Sequence, residues 1–465
     1  MFEQHSRGVA SSRDTWVYNF DQTSLTGNIR KTISFYNEEV GRWKQHGQDV
    51  DIDTFVRYDD RVVSWSRDLK QDVIRERRAE FSASKIRKSL YRPFSKLNMF
   101  FDRVLNEEVY VFPSFFPKEL TETENMLIAL TGPGSEKPFL TLVASEIVDL
   151  HLSGADCSTQ CFPFYTYAED GTNRRENITE WALEQFRTRY NDRSITKWDI
   201  FHYVYAVLHH PEYRERYAAN LRRELPRIPF ASVTSGAEAL GGGSSNAGLK
   251  PGSSTVEPPP GVTAVEERPF RAALAAKKSR ALAPEDPSAQ ELQIPRSARD
   301  DKQQKASVSS ASSAVKDLEV FRELAEAGQH LADIHVHYEQ QAEYPLTKTE
   351  KAGEKLDYRV TRMRLSRDKT SLLYNQFLTL SGIPKETYDY RLGNRSALEW
   401  VIDQYPVSTD KRSGITNDPN RSDDPTYILR LIGQVVMVSL ETVADCGFSP
   451  RSCPVAAGGV GTTRS

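Results

Sequence analysis

The feature that most limits what this chain can fold into is a break in composition after Phe230. From about Ala231 to Ala314 the sequence is rich in Ser, Ala, Gly and Pro, with GGGSS and EPPPG runs and almost no aromatic residues. Such a stretch buries too little apolar surface to offset the entropy of ordering it, so a disordered low-complexity insertion is expected over 231–314. The patterned sequence on either side, 1–230 and 315–443, must then make the fold. Residues 444–465, rich in Gly, Pro and Ser, read as a loose tail. As a free coil the insertion would hold its ends about 50 Å apart. Loop closure costs rise slowly with length, however, so the flanking blocks can be two parts of one domain.

The first block begins with a short alternating strand, Trp16 to Phe20. Asp21 or Ser24 can cap a helix whose Leu25, Ile29, Ile33, Tyr36 and Val40 share one face. A second helix is expected from about Asp60 to Arg78, burying Val62, Val63, Trp65, Leu69, Val73 and Ile74. Short apolar runs follow at 109–112, 126–131, 139–144, 147–152 and 162–167, separated by turn signals such as Gly132-Pro133-Gly134, and they read as strands. Helix returns at Thr196 and Asp199, spaced as a capping box, with His209 and His210 at its end and Pro211 opening the next helix. The expected fold class is α+β: a mixed sheet with flanking helices, interrupted by a long disordered insertion.

The second block resumes as helix at Val315 and continues through Ile334. Asp357 to Leu365 alternates as a strand with Arg359, Arg362 and Arg364 on or near its outer face, and Leu372 to Leu380 is a further strand. The stretch Tyr388 to Asn420 has the most compact pattern. Leu392-Gly393-Asn394 makes a turn, and Asn394 is read as the N-cap of a helix carrying Ala397, Leu398, Val401 and Ile402. Pro406 closes that helix, and a polar loop with Lys411, Arg412, Asn417 and Asn420 follows. Pro425 leads a last helix through Leu440.

Charge and motifs exclude several functions. A net charge of −3 over 465 residues offers no global basic field, so nucleic-acid contact has to come from local patches. The four cysteines sit as two distant pairs, Cys157/Cys161 and Cys446/Cys453, a spacing that suits reduced thiols better than a disulfide framework or a zinc site. The longest apolar run, Leu431 to Leu440, is broken by Gly433 and Gln434 and reads as too short to span a bilayer, and the first residues lack an apolar signal core. A cytoplasmic protein with no membrane partner is expected. No GxxxxGK[ST] phosphate loop, glycine-rich nucleotide turn, or Asn/Asp-Pro-Pro-Tyr tetrapeptide for holding a flipped base occurs. The chain therefore shows no catalytic site.

Two places carry basic residues in a pattern suited to phosphates. In Ser84 to Asp102, Lys85, Arg87, Lys88, Arg92 and Lys96 alternate with Tyr91, Phe94, Phe100 and Phe101. The same pattern also fits a core-facing aromatic cluster with solvated lysines. In 388–420, Arg395, Lys411, Arg412 and Asn417 could meet a backbone and base edges, or be a solvated connection beside a core helix.

Longer segments carry a family resemblance. GVASSRDTWVYNF (8–20), SLYRPF (89–94), FHYVYAVLHHPEYRERYAANLRRELPRIPF (201–230), AGQHLADIHVHYE (327–339) and YRLGNRSALEWVIDQY (390–405) together resemble the C-terminal specificity region of type ISP restriction–modification enzymes. In that family one polypeptide joins a nuclease, an ATP-driven translocase, an adenine methyltransferase and a target-recognition region. The resemblance implies sequence-specific binding of double-stranded DNA. Arg87, Lys88, Arg92, Lys96, Arg395, Lys411, Arg412 and Asn417 are chosen as its contacts on chemical grounds, since no family motif assigns them. It also implies that the chain itself uses no cofactor, S-adenosylmethionine, ATP and magnesium belonging to family domains whose motifs the sequence lacks. The family pattern joins RIPF almost directly to the helix near Val315, which makes 231–314 look inserted. The tail after Val443 looks foreign as well. Three origins are consistent with this: a target-recognition module, the specificity part of a split enzyme completed by a separate catalytic methyltransferase or translocase chain, and an inert, truncated remnant.

Overall fold

Asp21 is extended, and its carboxylate accepts from the Ser24 amide at 2.6 Å, which turns the chain into the helix Gln22–His46. Leu25, Ile29, Ile33, Tyr36 and Val40 are all buried along one side of that helix. The structure, a computed structural model, describes residues 1–47, 49–232 and 300–446, with 300–314 as a backbone path alone.

This helix packs on a four-stranded mixed sheet. Its order is Tyr18–Asn19, Ser95–Phe100, Ile86–Arg92, Ile147–Val148; the last strand runs parallel to its neighbour, with Ser89 opposite Ile147. A second sheet, antiparallel throughout, orders Ser6–Arg7, Thr159–Pro163, Leu127–Thr131 and Thr141–Ala144. Leu127–Thr131 is buried at every position, so it appears in the sequence as an unbroken apolar run instead of an alternation. The helix Lys197–His209 packs against this sheet, and its Tyr205 Oη accepts from the Val143 amide at 3.0 Å. Thr196 and Asp199 form the capping box legible in the sequence. In the second block Thr347–Glu350, Leu378–Ser381, Ser371–Leu373 and Arg364–Leu365 make an antiparallel sheet in that order. The arrangement is α+β, with several small sheets where one was expected.

The described residues up to 232 and from 311 onward form one compact unit. Helix Asp300–Val336 comes so close to Lys197–His209 that a Cβ on Gly328 would stand 1.9 Å from the carbonyl oxygen of His202. Salt bridges flank the contact, with Arg189 on Asp317 at 2.8 Å and Arg322 on Asp192 at 2.9 Å. Beyond it, the Tyr205 hydroxyl donates to His335 Nδ1 at 2.6 Å, and His335 Nε2 donates to Thr442 Oγ1 at 2.8 Å. Thr442 gives its own proton to the Val438 carbonyl, which assigns the histidine tautomer.

Several elements differ from the sequence expectations. Residues 300–314 of the expected insertion are helical: no Gly or Pro interrupts 300–327, so the packed helix extends back to Asp300. The rest of that insertion, 233–299, and the tail from 447 lie outside the described residues. The expected 60–78 helix is only Arg67–Ile74, because Ser66 is the cap, accepting from the Leu69 amide at 3.2 Å. Residues 109–112 form no strand; Tyr110 has a positive φ of 45° and Pro113 starts the turn Phe112–Phe115. The N-cap after the 392–394 turn is Ser396, boxed with Glu399, while Asn394 lies in the tight hairpin that Gly393 closes at φ 69°. Of 357–365 only Arg364–Leu365 pairs as a strand, since side chains of Asn375 and Asn420 take up the backbone groups before it. The closing helix Tyr427–Cys446 is longer than its apolar run suggested, with length and mean hydropathy (1.5) sufficient to cross a membrane. Its apolar window is 67% buried in protein, so it serves as a core helix.

Two expectations follow for stability. Gly328→Ala should cost about 1–3 kcal/mol, seen as a lower denaturant midpoint; an unchanged midpoint would mean that the two helices can separate freely. Burial, with Arg214 and His330 adding to it, pushes the His335 pKa down to about 3, whereas an unfolded imidazole titrates near 6.5. Between those values the unfolded chain binds more protons, so acid erodes whatever neutral His335 contributes. The wild type's advantage in unfolding midpoint over His335→Gln should therefore shrink from pH 6.5 to 5. The comparison cancels Glu122, whose carboxyl burial pushes up to about 7 and which titrates in the opposite sense.

Candidate nucleic-acid interface

The basic-aromatic stretch 84–102 folds as the hairpin of Ile86–Arg92 and Ser95–Phe100, turned at Phe94 with a φ of 55°. The structure gives three of its four chosen cations a buried or half-buried acid. Arg87, 5% exposed, pairs with Glu122 and donates to the Phe116 carbonyl at 3.3 Å. Arg92 meets Asp149 at 2.8 Å and stacks 3.9 Å above the Tyr91 ring. Lys96 lies 2.6 Å from Glu146, donates to the Val336 carbonyl, and sits over Tyr338. Burial pushes the Asp149 carboxyl up to about 6 even with Arg92 pulling the other way, so the arginine's first task is to keep a buried acid ionised. Lys88 keeps an exposed side chain, with its ammonium partly shielded from water by its surroundings, and makes neither hydrogen bond nor ion pair among the described residues.

The second group divides the same way. Arg395 pairs with Asp403 at 2.9 Å and covers the Trp400 ring. Lys411 and Arg412 occupy the tip of a hairpin between Ser408–Thr409 and Thr416–Asn417. Asp410 shapes that tip by accepting from the amides of Arg412 and Ser413, and Gly414 closes it at φ 71°. Both cationic side chains are exposed and unpaired among the described residues. Asn417 is an anchor: its Oδ1 accepts from the Phe20 amide at 2.9 Å while Asn19 Nδ2 donates to the Thr416 carbonyl at 3.1 Å. The hairpin is thereby fastened to the leading block.

Folding adds cations not chosen from the sequence. Arg362 and Arg364 are exposed without a side-chain partner among the described residues. Their segment is stitched beside the hairpin, since the Val407 amide donates to the Thr361 carbonyl at 3.1 Å. Asn420 joins on from the other side, accepting from the Val360 amide at 2.7 Å and donating to its carbonyl at 2.8 Å. The next residue, Arg421, lies close enough to Lys88 that, after burial, it is the main cause of that lysine's lowered pKa. Lys88 and Arg421 thus lie near one another, and Arg362, Arg364, Lys411 and Arg412 stand exposed on segments bonded to each other, a strip of cations drawn from both blocks along the chain path. The arginine alternation at 359–364 was the sequence signal for part of it; Arg421 had none.

A cleft of about 760 Å³ is lined by four arginines (Arg67, Arg75, Arg77, Arg103) and four acids (Asp68, Asp72, Glu107, Glu108), so it offers no net attraction to an anion. Among the described residues no group of His, Cys, Asp and Glu could hold a metal ion.

The division between structural and free cations can be measured. Arg92→Ala, which strands buried Asp149, should cost about 3–5 kcal/mol. Lys411→Ala on the exposed tip should change stability by about 0.5 kcal/mol or less. Urea unfolding of the two variants decides; equal, small losses would move Arg92 into the surface set.

Comparison with known proteins gives this geometry a family. The Type ISP C-terminal specificity domain matches residues 1–279 and 313–431. Its gap, 280–312, is shorter than the 231–314 stretch that looked inserted. No curated protein matches the chain. Among solved structures, it is similar to a nuclease-deletion mutant of the Type ISP restriction–modification enzyme LlaGI in complex with a DNA substrate mimic. The TM-score is 0.69 at 29% identity, over 97% of this chain and 33% of that one. It is equally similar to DrdV in a DNA complex, with a TM-score of 0.69 at 30% identity, over 97% of this chain and 36% of that one. The ATP-dependent Type ISP enzyme LlaBIII bound to DNA shares the fold, with a TM-score of 0.68 at 23% identity, over 96% of this chain and 23% of that one. The chain thus spans about a third or less of these solved enzymes. With the match covering most of its length, the chain belongs to the Type ISP C-terminal specificity domain family.

Proposed function

We propose that this chain recognises a target sequence in double-stranded DNA for a restriction–modification enzyme. The observation that carries the reading is the group of exposed cations on and beside the 408–417 hairpin, placed on a fold whose solved neighbours LlaGI and DrdV are DNA complexes. Arg362, Arg364, Lys411 and Arg412 sit in water, so meeting phosphates costs them little desolvation and releases counterions from the duplex. Arg87, Arg92, Lys96 and Arg395 support the reading indirectly, by holding the strands and the helix that present the strip, and Asn417 by anchoring the hairpin. In this reading the site of action is the cytoplasm. Nuclease, translocase and adenine-methyl transfer, with their S-adenosylmethionine, ATP and magnesium, belong to residues outside these 465, on the same polypeptide or on a catalytic partner chain.

Gel-shift titration against salt, with a random duplex pool and a site selected from it, tests the proposal. Wild-type binding should weaken linearly in log–log form with salt. The double variant Lys411→Ala/Arg412→Ala should reduce that slope by about two and weaken selected and random duplexes alike. Binding indifferent to salt and sequence would sink the reading.

A further inference from the structure

Arg421 differs from every cation chosen in the sequence. Its guanidinium carbon lies 3.3 Å from the centroid of the Tyr427 ring, so the planar group is stacked, yet the side chain remains 41% exposed. It makes no hydrogen bond among the described residues. Tyr427 is itself fixed: it is 6% exposed, and its hydroxyl donates to Glu339 Oε1 at 2.6 Å. That same carboxylate oxygen stays 4.0 Å from Arg421 Nη2, near enough to attract the fork and too far to accept from it. The backbone leading in is rigid as well, because Asn420 bonds both the amide and the carbonyl of Val360 and donates its own amide to the Asp418 carboxylate. Lys88 is near enough for the two like charges to interact, with Glu339 acting on both.

A stacked guanidinium has lost most of its rotamer freedom before any ligand arrives, and it still carries a full set of parallel N–H donors. Two other exposed arginines have spent theirs, Arg395 on Asp403 and Arg359 on Asp418, and the unpaired Arg362, Arg364 and Arg412 have no ring beneath them among the described residues. We propose that Arg421 is the preorganised fork of the interface, gripping a pair of adjacent acceptor atoms on the duplex: O6 and N7 of a guanine, or two oxygens of one phosphate. This inference rests on the DNA-recognition reading and adds to it a residue whose task needs geometry as well as charge. Tyr427 and Glu339 act through it as positioning residues.

The experiment compares the full chain with Arg421→Lys, which keeps the charge and loses the fork, and Arg421→Gln, which loses both. Folding is checked by the unfolding midpoint, which an exposed position should leave unchanged. On the duplex selected by the wild type, Arg421→Lys should bind roughly 5- to 150-fold more weakly. If the acceptors are a guanine, random-duplex affinity of Arg421→Lys stays at the wild-type level and reselection from the pool loses preference at one G·C pair. If they belong to a phosphate, selected and random duplexes weaken alike, and Arg421→Gln lowers the salt slope by about one. Either result supports the fork. Variants that bind both duplexes as the wild type does overturn it while leaving DNA recognition intact. A wild type that binds no duplex overturns the DNA-recognition reading and this inference with it.

Discussion

The cation strip and the core beneath it depend on the close approach of two helices that belong to different halves of the sequence. Gly328 lets the helix Asp300–Val336 settle against the carbonyl of His202, a distance no side chain would permit. Once that contact exists, Tyr205, His335 and Thr442 can hand a hydrogen-bond chain through the core, and Phe94 can meet Tyr338 edge-on at 5.0 Å. The mixed sheet of the leading block and the closing helix of the trailing block then share one interior.

The structure also sorts cations by the acids within reach. A carboxylate such as Asp149 or Glu122 cannot stay charged in a protein interior unaided, and burial drives both upward towards neutrality. Arg92 and Arg87 answer that need and are drawn out of solvent in doing so. Lys411 and Arg412 stay free of such pairing among the described residues, and the neighbouring Asp410 turns Oδ1 to backbone amides of its own loop. Charge available to a partner is what remains after the interior has taken its share.

Much of this was legible in the residues. Asp21 and Thr196 announced their helices through cap chemistry, and the apolar spacing from Leu25 to Val40 named the buried face correctly. Ser396 carried the same kind of signal, with Glu399 three positions on, but the more obvious turn at Gly393-Asn394 drew the cap two residues early. The segment 357–365 alternates like a strand and mostly is not one, because asparagine side chains replaced the ladder partners. The site was harder to see. Periodicity tells which way a lysine faces on its own element, and says nothing about the acid another element will bring to it. Arg421 had no local pattern at all; its setting is supplied by Tyr427, Glu339 and Lys88, which only the tertiary fold assembles.

The hairpin 408–417 is held to its host by main-chain and asparagine contacts at its base, and its tip is shaped by bonds internal to the loop. Nothing in the interior depends on which side chains stand at Lys411 and Arg412. Such a mounting separates the part of a protein that must not vary from a part that can. Relatives built on the same frame could exchange the residues at this tip, and with them what they grasp, without refolding anything beneath.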